Sequence, residues 1–274
     1  MSKIEITGPY SDDRGNKIIV GENTNFTNST VNFKGENNIV IISDKNNNIR
    51  DLTITFYGSE SIFIKGKTEG RAQTRGVFRL GFGSLIAISD FVTCTNPILM
   101  SCSEGTQILL GEDCMFATNN HIRTEDAHLI FNALTGDRIN TSQNIIIGAH
   151  VWLSYAAKVY RGSIIGDGSI VGLNSIVKGH FPNNCTISGS PAKIIRKNVA
   201  WDRTNPRSLK NKITHASELK KHTPYWRETD AITVVSKTPQ MGSSLTKLFN
   251  ILKKHKPKSI WLEKNKILLS LQKQ

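Results

Sequence analysis

An aliphatic side chain recurs at every sixth position of residues 164–179, IIGDGSIVGLNSIVKG, and this spacing restricts how the chain can fold. An α-helix turns every 3.6 residues and a strand alternates every two, so a six-residue period suits neither a helix face nor one long strand. It suits short strands joined at corners, where one inward-facing residue returns after each corner. The full series is Leu80, Ile86, Val92, Ile98, Leu110, Phe116 and Ile122, then Ile147, Leu153, Val159, Ile165, Val171 and Val177, with Glu104 as an exception.

Small residues follow most of these apolar positions, as at Gly81, Gly148 and Gly166. Glycine fits tight corners and adopts a positive φ without a steric penalty. Three six-residue edges would make one coil, and each coil would pair with the next at a spacing of about 4.8 Å. Because one coil alone cannot bury its apolar face, the sequence predicts a solenoid of stacked β-coils with apolar ladders along its axis.

The remaining composition is that of a folded, mainly β protein. The chain has 274 residues, 38% of them hydrophobic, which is enough to bury a core. Residues 1–79 mix apolar residues with Asn, Thr and Gly, a pattern that predicts irregular β-coils, with a flexible lead as the alternative. The N-terminus lacks the features of a signal peptide, and no stretch approaches the ~20 apolar residues of a membrane span, so we expect a cytoplasmic protein.

The repeat ends in NNCTISGSPAKIIR, and residues 80–203 resemble the hexapeptide-repeat acyltransferases, including bacterial capsular polysaccharide and sialic acid O-acetyltransferases. The resemblance implies a left-handed parallel β-helix, and the handedness rests on the resemblance alone. It also implies transfer of an acetyl group from acetyl-CoA to a hydroxyl of a sugar or surface polysaccharide. The expected organisation is N-terminal β-coils over 1–79, a catalytic β-helix over 80–199 with an inserted loop at 123–146, and a basic, largely helical extension over 200–274.

The inserted loop, RTEDAHLIFNALTGDRINTSQNI, is expected to carry the catalytic base. In the acetyltransferases that the chain resembles, a histidine at the start of this loop is the general base, and a Val-Trp-Ile-Gly segment begins 23 residues later. His128 and the segment VWLS, which starts at Val151, keep this spacing. A sugar hydroxyl is a poor nucleophile at neutral pH, so a group that titrates near 7 is needed to take its proton during attack on the thioester.

The resemblance also assigns supporting roles around His128. Asp126 or Glu125 would orient the imidazole, and Trp152 would wall the acetyl and thiol end. A backbone amide near Tyr155 would stabilise the oxyanion of the tetrahedral intermediate.

Acetyl-CoA is expected to lie in a groove between neighbouring β-helices. This chain departs from the family pattern there, because Ser154 and Tyr155 stand where the family has Gly-Ser or Gly-Ala. Cations near the last coil would meet the phosphates. Carried over position by position, the contacts fall on Tyr155, Leu173, Lys178, Lys193 and Arg196.

Two other functions share this kind of repeat. A γ-type carbonic anhydrase uses three histidines on zinc, two of them five residues apart, whereas His121, His128 and His150 are separated by seven and 22. We therefore expect no metal, and the four cysteines, which have no CxxC spacing, are expected to be buried thiols. A non-enzymatic scaffold or binding module would keep the repeat but would need neither His128 nor the GSPAKIIR end.

Charge is concentrated at the C-terminal end. The formal net charge is +13, and residues 200–274 hold 16 basic and 5 acidic side chains, a net +11. Such a segment favours an anionic partner, and an acidic glycan or the inner membrane surface fits better than nucleic acid, since no reading motif is present. Apolar residues at 245, 248, 249 and 252 predict an amphipathic helix that ends at Pro257, and SIWLEKNKILLSLQKQ begins a second. We expect their apolar faces to pack on the β-helix or on each other rather than on a membrane. The flat sides and the family predict a homotrimer.

Overall fold

The computed structural model describes residues 3–43, 47–68, 73–218 and 224–230. Within these ranges, short strands wind as a three-sided parallel β-helix, in which most coils contribute one strand to each side. Strands pair in parallel except for three pairs at the two ends. The prediction of a mainly β, parallel β-helix is confirmed, and its left-handedness stays a prediction.

The three sides are named sheets A, B and C. Sheet A comprises β1 (Ile4–Glu5), β5 (Thr30–Phe33), β8 (Leu52–Phe56), β10 (Gly76–Leu80), β13 (Ile98–Cys102), β16 (His121–Arg123), β19 (Lys158–Tyr160) and β22 (Ile176–Val177). Sheet B comprises β2 (Tyr10–Ser11), β3 (Lys17–Val20), β6 (Ile39–Ile42), β9 (Ile62–Lys65), β11 (Leu85–Ile88), β14 (Gln107–Leu110), β17 (Ile145–Ile147), β20 (Ile164–Ile165) and β23 (His180–Phe181). Sheet C comprises β12 (Thr93–Cys94), β15 (Met115–Phe116), β18 (Trp152–Leu153), β21 (Ile170–Val171), β24 (Thr186–Gly189) and β25 (Ala192–Arg196), and a separate pair joins β4 (Asn25–Thr27) to β7 (Asn48–Arg50).

The thirteen apolar residues of the six-residue series all belong to one buried core cluster, each at most 1% exposed. They point inward from the three sides and stack along the axis. Burying a side chain of this size contributes about 1.5–3 kcal/mol, so these ladders supply the main favourable term for stacking the coils.

The expected edge of six residues holds only after the inserted loop. There, Ile147 pairs with Ile165 and Val159 with Val177, which gives a coil of 18 residues. Earlier, Cys94 pairs with Phe116 and Met100 with Ile122, so the coil is 22 residues long. The expectation of an 18-residue coil is therefore wrong for residues 80–122. Apolar residues six apart still point inward there, because inward positions recur every two residues along a strand and six is a multiple of two.

The Asn-rich N-terminal segment is built into coils by a polar ladder at the corner between sheets A and B. Four fully buried side chains, those of Asn16, Asn38, Ser61 and Ser84, succeed one another up this corner. The Asn16 side-chain oxygen accepts from the Asn38 N–H, the Asn38 oxygen from the Ser61 N–H, and the Ser61 hydroxyl oxygen from the Ser84 N–H, each at 3.0 Å. Side chains thus satisfy corner backbone groups that water cannot reach.

The described part of the C-terminal extension contacts the corner between sheets B and C through Trp201, Arg203 and Tyr225. It contains two single-turn 3-10 helices, Pro206–Ser208 and Ala216–Glu218, and no α-helix within residues 200–218 and 224–230. The amphipathic helix expected at residues 245–252, and with it most of the predicted helical extension, lies outside the described residues. No helix among those described has the length and apolar character needed to cross a membrane.

Tight coil stacking predicts a large loss of stability for one glycine substitution and almost none for another. A Cβ on Gly166 would lie 2.4 Å from the backbone nitrogen of Asn183, in the next coil, whereas a Cβ on Gly8 would meet nothing within 4 Å. We expect Gly166→Ala to lower the free energy of unfolding by about 2–3 kcal/mol, because backbone must shift. Gly8→Ala should change it by less than about 0.5 kcal/mol. Denaturant unfolding of both variants checks this, and equal stabilities would contradict the close packing of coils.

Candidate active site

The inserted loop leaves sheet A after β16 and returns to sheet B at β17, so it projects from the A–B corner. Its outer part folds back on itself, with an antiparallel bridge between Phe131 and Arg138 and a hydrogen bond from the Asn132 N–H to the Asp137 carbonyl oxygen at 2.8 Å. The tip is apolar and open, and Leu134 is 95% exposed. The loop is therefore an ordered arm rather than an extension of the core.

Glu104 anchors this arm to the coil before it. Its carboxylate accepts hydrogen bonds from both terminal nitrogens of Arg138, one of them at 3.0 Å, and from the Ser142 hydroxyl at 2.5 Å. The hydrogen bonds from Arg138 and then Ser142 lower the pKa of Glu104 to about 2. The exception in the apolar series thus holds the inserted loop in place.

Asn140 holds the backbone at the predicted base. Its buried side-chain amide donates to the His128 carbonyl oxygen at 2.7 Å, and its side-chain oxygen accepts from the Ile130 N–H at 2.8 Å. The His128 residue is exposed. The structure therefore fixes the backbone of His128 and leaves its imidazole facing solvent in the single chain.

Neither candidate carboxylate contacts the His128 ring in the described part of the chain. Asp126 pairs with Arg161 Nε at 3.2 Å and accepts from the Asn140 amide at 3.3 Å. Glu125 accepts from the Ser101 hydroxyl at 2.6 Å and from Arg123 at 3.0 Å. Burial acts to raise the pKa of Glu125, but these hydrogen bonds hold it below its ordinary value. Within one chain, therefore, no contact with the His128 ring supports the orienting role predicted for Asp126. Its carboxylate contacts Arg161 and Asn140 instead.

The predicted Trp152 and Tyr155 lie away from His128. Trp152 is on sheet C, the side opposite the A–B corner, and Tyr155 follows it at the corner between sheets C and A. Tyr155 and Leu173 stack in adjacent coils at this corner, joined by the Asn174 N–H to Tyr155 carbonyl hydrogen bond at 2.9 Å. Both are more than half exposed. The structure therefore brings Tyr155 and Leu173 together but does not bring them to His128.

The Tyr155 N–H has no acceptor among the described residues. The same is true of the Leu173 N–H at the equivalent corner, so this is a property of the corner rather than of one residue. A free backbone donor at a rigid corner is the kind of group that an oxyanion requires.

The three cations among the predicted acetyl-CoA contacts are exposed but occupy two regions. Lys193 and Arg196 lie on β25, which pairs with β24 at the end of sheet C. Lys178 lies at the A–B corner and lines an open groove of about 440 Å³ beside the start of the inserted loop. The residues that line this groove are Arg123, Glu125, Asp126, Tyr160, Arg161, Ile176 and Lys178.

His150 is a structural residue at the B–C corner. Its ring is 1% exposed and lies between Trp201, at 3.9 Å, and Tyr225, at 4.9 Å. Its Nδ1 is 2.6 Å from Asp113 Oδ2, and its Nε2 is 3.1 Å from the Trp201 carbonyl oxygen. Burial acts to raise the pKa of Asp113, but the hydrogen bond from His150 and the charge of Arg203 hold it low. This cluster attaches the C-terminal extension to the β-helix.

His121, the third histidine compared above with a carbonic anhydrase zinc site, lies on another part of the surface. His121 faces outward on sheet A beside Lys158, and burial together with the charges of Lys158 and Arg123 lowers its pKa. His121, His128 and His150 therefore do not converge in one chain. Among the described residues, no group of three or more His, Cys, Asp or Glu side chains is placed to hold a metal.

A parallel β-helix interrupted by an anchored loop that carries a histidine is the arrangement that the resemblance to the hexapeptide-repeat acyltransferases implies. No family model matches the chain. The polysialic acid O-acetyltransferase of Neisseria meningitidis is 30% identical over 199 residues, which are 72% of this chain and 91% of that protein. The chain therefore belongs to the O-acetyltransferase family that includes this protein, and the family resemblance is confirmed.

Two further comparisons agree with this family assignment. The polysialic acid O-acetyltransferase of Escherichia coli O1:K1 / APEC is 33% identical over 102 residues, which are 37% of this chain and 33% of that protein, so the match spans about a third of that relative. The crystal structure of the polySia-specific acetyltransferase NeuO has a TM-score of 0.51 at 28% identity and covers 71% of this chain and 88% of that one.

Loss of the Glu104 charge should release the inserted arm. We expect Glu104→Gln to speed pepsin cleavage within residues 129–137 about five- to tenfold at pH 5, because Arg138 and Ser142 lose their charged acceptor. The lowered pKa means that the stabilisation is present above the unfolded pKa of about 4.3 and is lost as pH falls toward about 2. The difference between the two proteins should therefore narrow as pH falls.

Asp137→Asn removes a charge from the same loop without touching this anchor and should cleave like the unmodified chain. Equal cleavage rates for Glu104→Gln and the unmodified chain at pH 5 would show that Glu104 does not hold the arm.

Proposed function

We propose that this chain is an acetyl-CoA-dependent O-acetyltransferase that acetylates a hydroxyl of a sugar in a surface or capsular polysaccharide. The observation that carries the proposal is the relationship to the Neisseria meningitidis protein, which extends over 91% of that protein's length. That relative is named for the O-acetylation of polysialic acid, so an acidic sugar polymer is the acceptor class that we favour for this chain.

His128 is the proposed general base. Its exposed position at the start of the anchored arm lets the imidazole meet a hydroxyl brought by an acceptor. The imidazole takes the hydroxyl proton while the oxygen attacks the thioester carbonyl carbon of acetyl-CoA. The tetrahedral intermediate then expels the CoA thiolate, and the imidazolium returns the proton to that sulfur. A base of this kind typically contributes ~10²- to 10⁴-fold in rate.

The surface residues are chemically suited to acetyl-CoA. Tyr155 and Leu173 form an exposed, mostly apolar ridge where pantetheine could lie, and the free Tyr155 N–H is the proposed oxyanion donor. Lys193 and Arg196, exposed on β25, are the proposed phosphate contacts. Lys178 lies at the A–B corner, away from Tyr155 and Leu173 at the C–A corner, so we assign it to the groove beside the inserted loop instead of to acetyl-CoA.

The groove beside the inserted arm is the proposed acceptor site. It lies next to the start of the loop. Three cations, Arg123, Arg161 and Lys178, line it against the carboxylates of Glu125 and Asp126, and this positive balance favours an anionic sugar. A capsule-modifying role would place the enzyme in the cytoplasm, at the inner face of the membrane where such polymers are assembled. The basic extension would add to the attraction for a polyanionic acceptor or for anionic lipid.

The active site is proposed to form between copies of the chain in a homotrimer. His128 lies at the A–B corner and Trp152 on the opposite side, so a single chain does not place both at one acetyl group. A neighbouring copy that presents its sheet C to the A–B corner would complete the site.

Replacement of the base tests the reaction. We expect His128→Ala to lower kcat by at least ~10²-fold while CoA affinity, measured by calorimetry, stays within about threefold. His180→Ala, which removes an exposed histidine from sheet B, is the matched control and should retain activity. Near-normal kcat for His128→Ala would exclude the proposed base, and absence of CoA binding by the unmodified chain would favour a non-enzymatic solenoid.

Mixing two inactive variants tests whether the site is shared. We expect His128→Ala and Trp152→Ala each to lose most activity alone. When the two are co-expressed in equal amounts, about a quarter of the interfaces should pair an intact His128 with an intact Trp152, so about a quarter of the activity should return. Absence of recovery, or a monomer in sedimentation at micromolar concentration, would contradict the shared site.

A further inference from the structure

Sheet B carries a second apolar surface on its outer face. On β6, β9, β11 and β14 alternate residues point inward to the core, and the residues between them form a separate buried cluster. Pairing aligns them in two ladders, so that Ile41, Ile64, Ala87 and Leu109 follow one another from strand to strand. The cluster comprises Ile39, Ile41, Ile62, Ile64, Leu85, Ala87 and Leu109, with Ile19 and Ile146 partly buried at its two ends.

This outer face is covered within the single chain. Its seven clustered residues are at most 7% exposed, although they point away from the core. On sheet A the outward residues of β8 and β10 are half-buried or exposed instead, as at Arg79. Cover that is already present in one chain comes from that chain and not from a second copy.

The polar and ring contacts of the described C-terminal extension lie at the B–C corner and not on the outer face of sheet B. Trp201 and Tyr225 stack on His150, Arg203 binds Asp113, and Arg227 binds Asp167, all at or beside the B–C corner. The described chain ends at Asp230, whose N–H donates to the Asn183 side chain at 3.0 Å. Asn183 lies two residues after the last strand of sheet B, so the chain is left at the edge of that sheet.

The remaining 44 residues have the length and pattern to reach and cover the face. Four steps of about 4.8 Å separate β23 from β11, a total of about 19 Å. The 15 residues from 231 to 245 extend up to about 50 Å. Leu245, Leu248, Phe249 and Leu252 then recur at i, i+3, i+4 and i+7, which is one face of a helix. Residues 244–255 would form a helix of about 18 Å, long enough to cross the four central strands.

We propose that the outer face of sheet B is the docking surface for the apolar face of residues 245–252 of the same chain. Docking buries Leu248 and Leu252 against Ala87 and its ladder neighbours. It leaves the lysines around the docked segment in solvent; residues 231–274 contain nine lysines and one glutamate. The extension thus attaches to the β-helix at two places, the His150 corner and sheet B.

Cysteine labelling in the full-length chain tests this docking. Ala87→Cys places a thiol on the covered ladder, and Arg79→Cys places one on the exposed face of sheet A as a reference. The four native cysteines are buried, and burial raises the pKa of Cys102 to about 11 and of Cys114 to about 12, so they should react slowly. We expect Ala87→Cys to react with a maleimide at least about tenfold more slowly than Arg79→Cys, as measured by mass spectrometry.

Substitutions in the segment identify it as the cover. Combining Ala87→Cys with Leu248→Asp and Leu252→Asp should raise its labelling at least about tenfold, because a charge cannot be buried on the apolar ladder. Asn250→Asp, on the opposite face of the helix, should leave the labelling unchanged. If Ala87→Cys does not fold, Leu109→Cys probes the same ladder.

Three results would overturn the proposal. The first is equal labelling of Ala87→Cys and Arg79→Cys, which would mean that the face is open. The second is protection that survives Leu248→Asp with Leu252→Asp, which would assign the cover to other residues. The third is protection that appears only at high protein concentration or only with anionic phospholipid vesicles, which would assign the face to a second copy or to a membrane.

Discussion

The burial of one apolar side chain from each side of each coil is the interaction on which this structure depends. Parallel strands cannot pair as hairpins, and a single coil has no interior, so neither hydrogen bonding nor packing is complete until coils stack. The inward ladders supply the favourable term, and small corner residues such as Gly166 allow the next backbone to approach. The inserted arm and the C-terminal attachment are additions to this stack, and both are fixed to its corners.

The sequence specified the fold well where its period was regular. From Ile147 to Val177 the six-residue step predicts the observed pairing residue by residue. Before the insertion the coil has 22 residues, and the six-residue step could not reveal this because inward positions also alternate by two. The continuous apolar runs of sheet B, such as LIAI at 85–88, carried a further signal: strands buried on both faces lose the polar alternation of strands with a solvent face.

Candidate site residues could be named from the sequence, but their contacts could not. The spacing of His128 and Trp152 identified candidates through the family, yet no local pattern shows that they lie on different sides of the prism. Asp126 looked like an orienting group from its distance of two residues, whereas its partner Arg161 comes from the next coil. Glu104 had a visible signal, since it was the polar residue in an apolar series, but its partners Arg138 and Ser142 lie 34 and 38 residues away.

The anchoring of the arm at Glu104 divides the inserted sequence into stretches that the rest of the chain holds and a tip that only its own contacts hold. Contacts from the previous coil and from Asn140 fix the stretch that carries His128 and the stretch that returns to sheet B. The tip between them, around Leu134, makes its main-chain bonds to itself. Its length and composition can therefore diverge without moving His128. Enzymes that share this scaffold could acquire new acceptors through changes at the tip alone, while the chemistry is inherited intact.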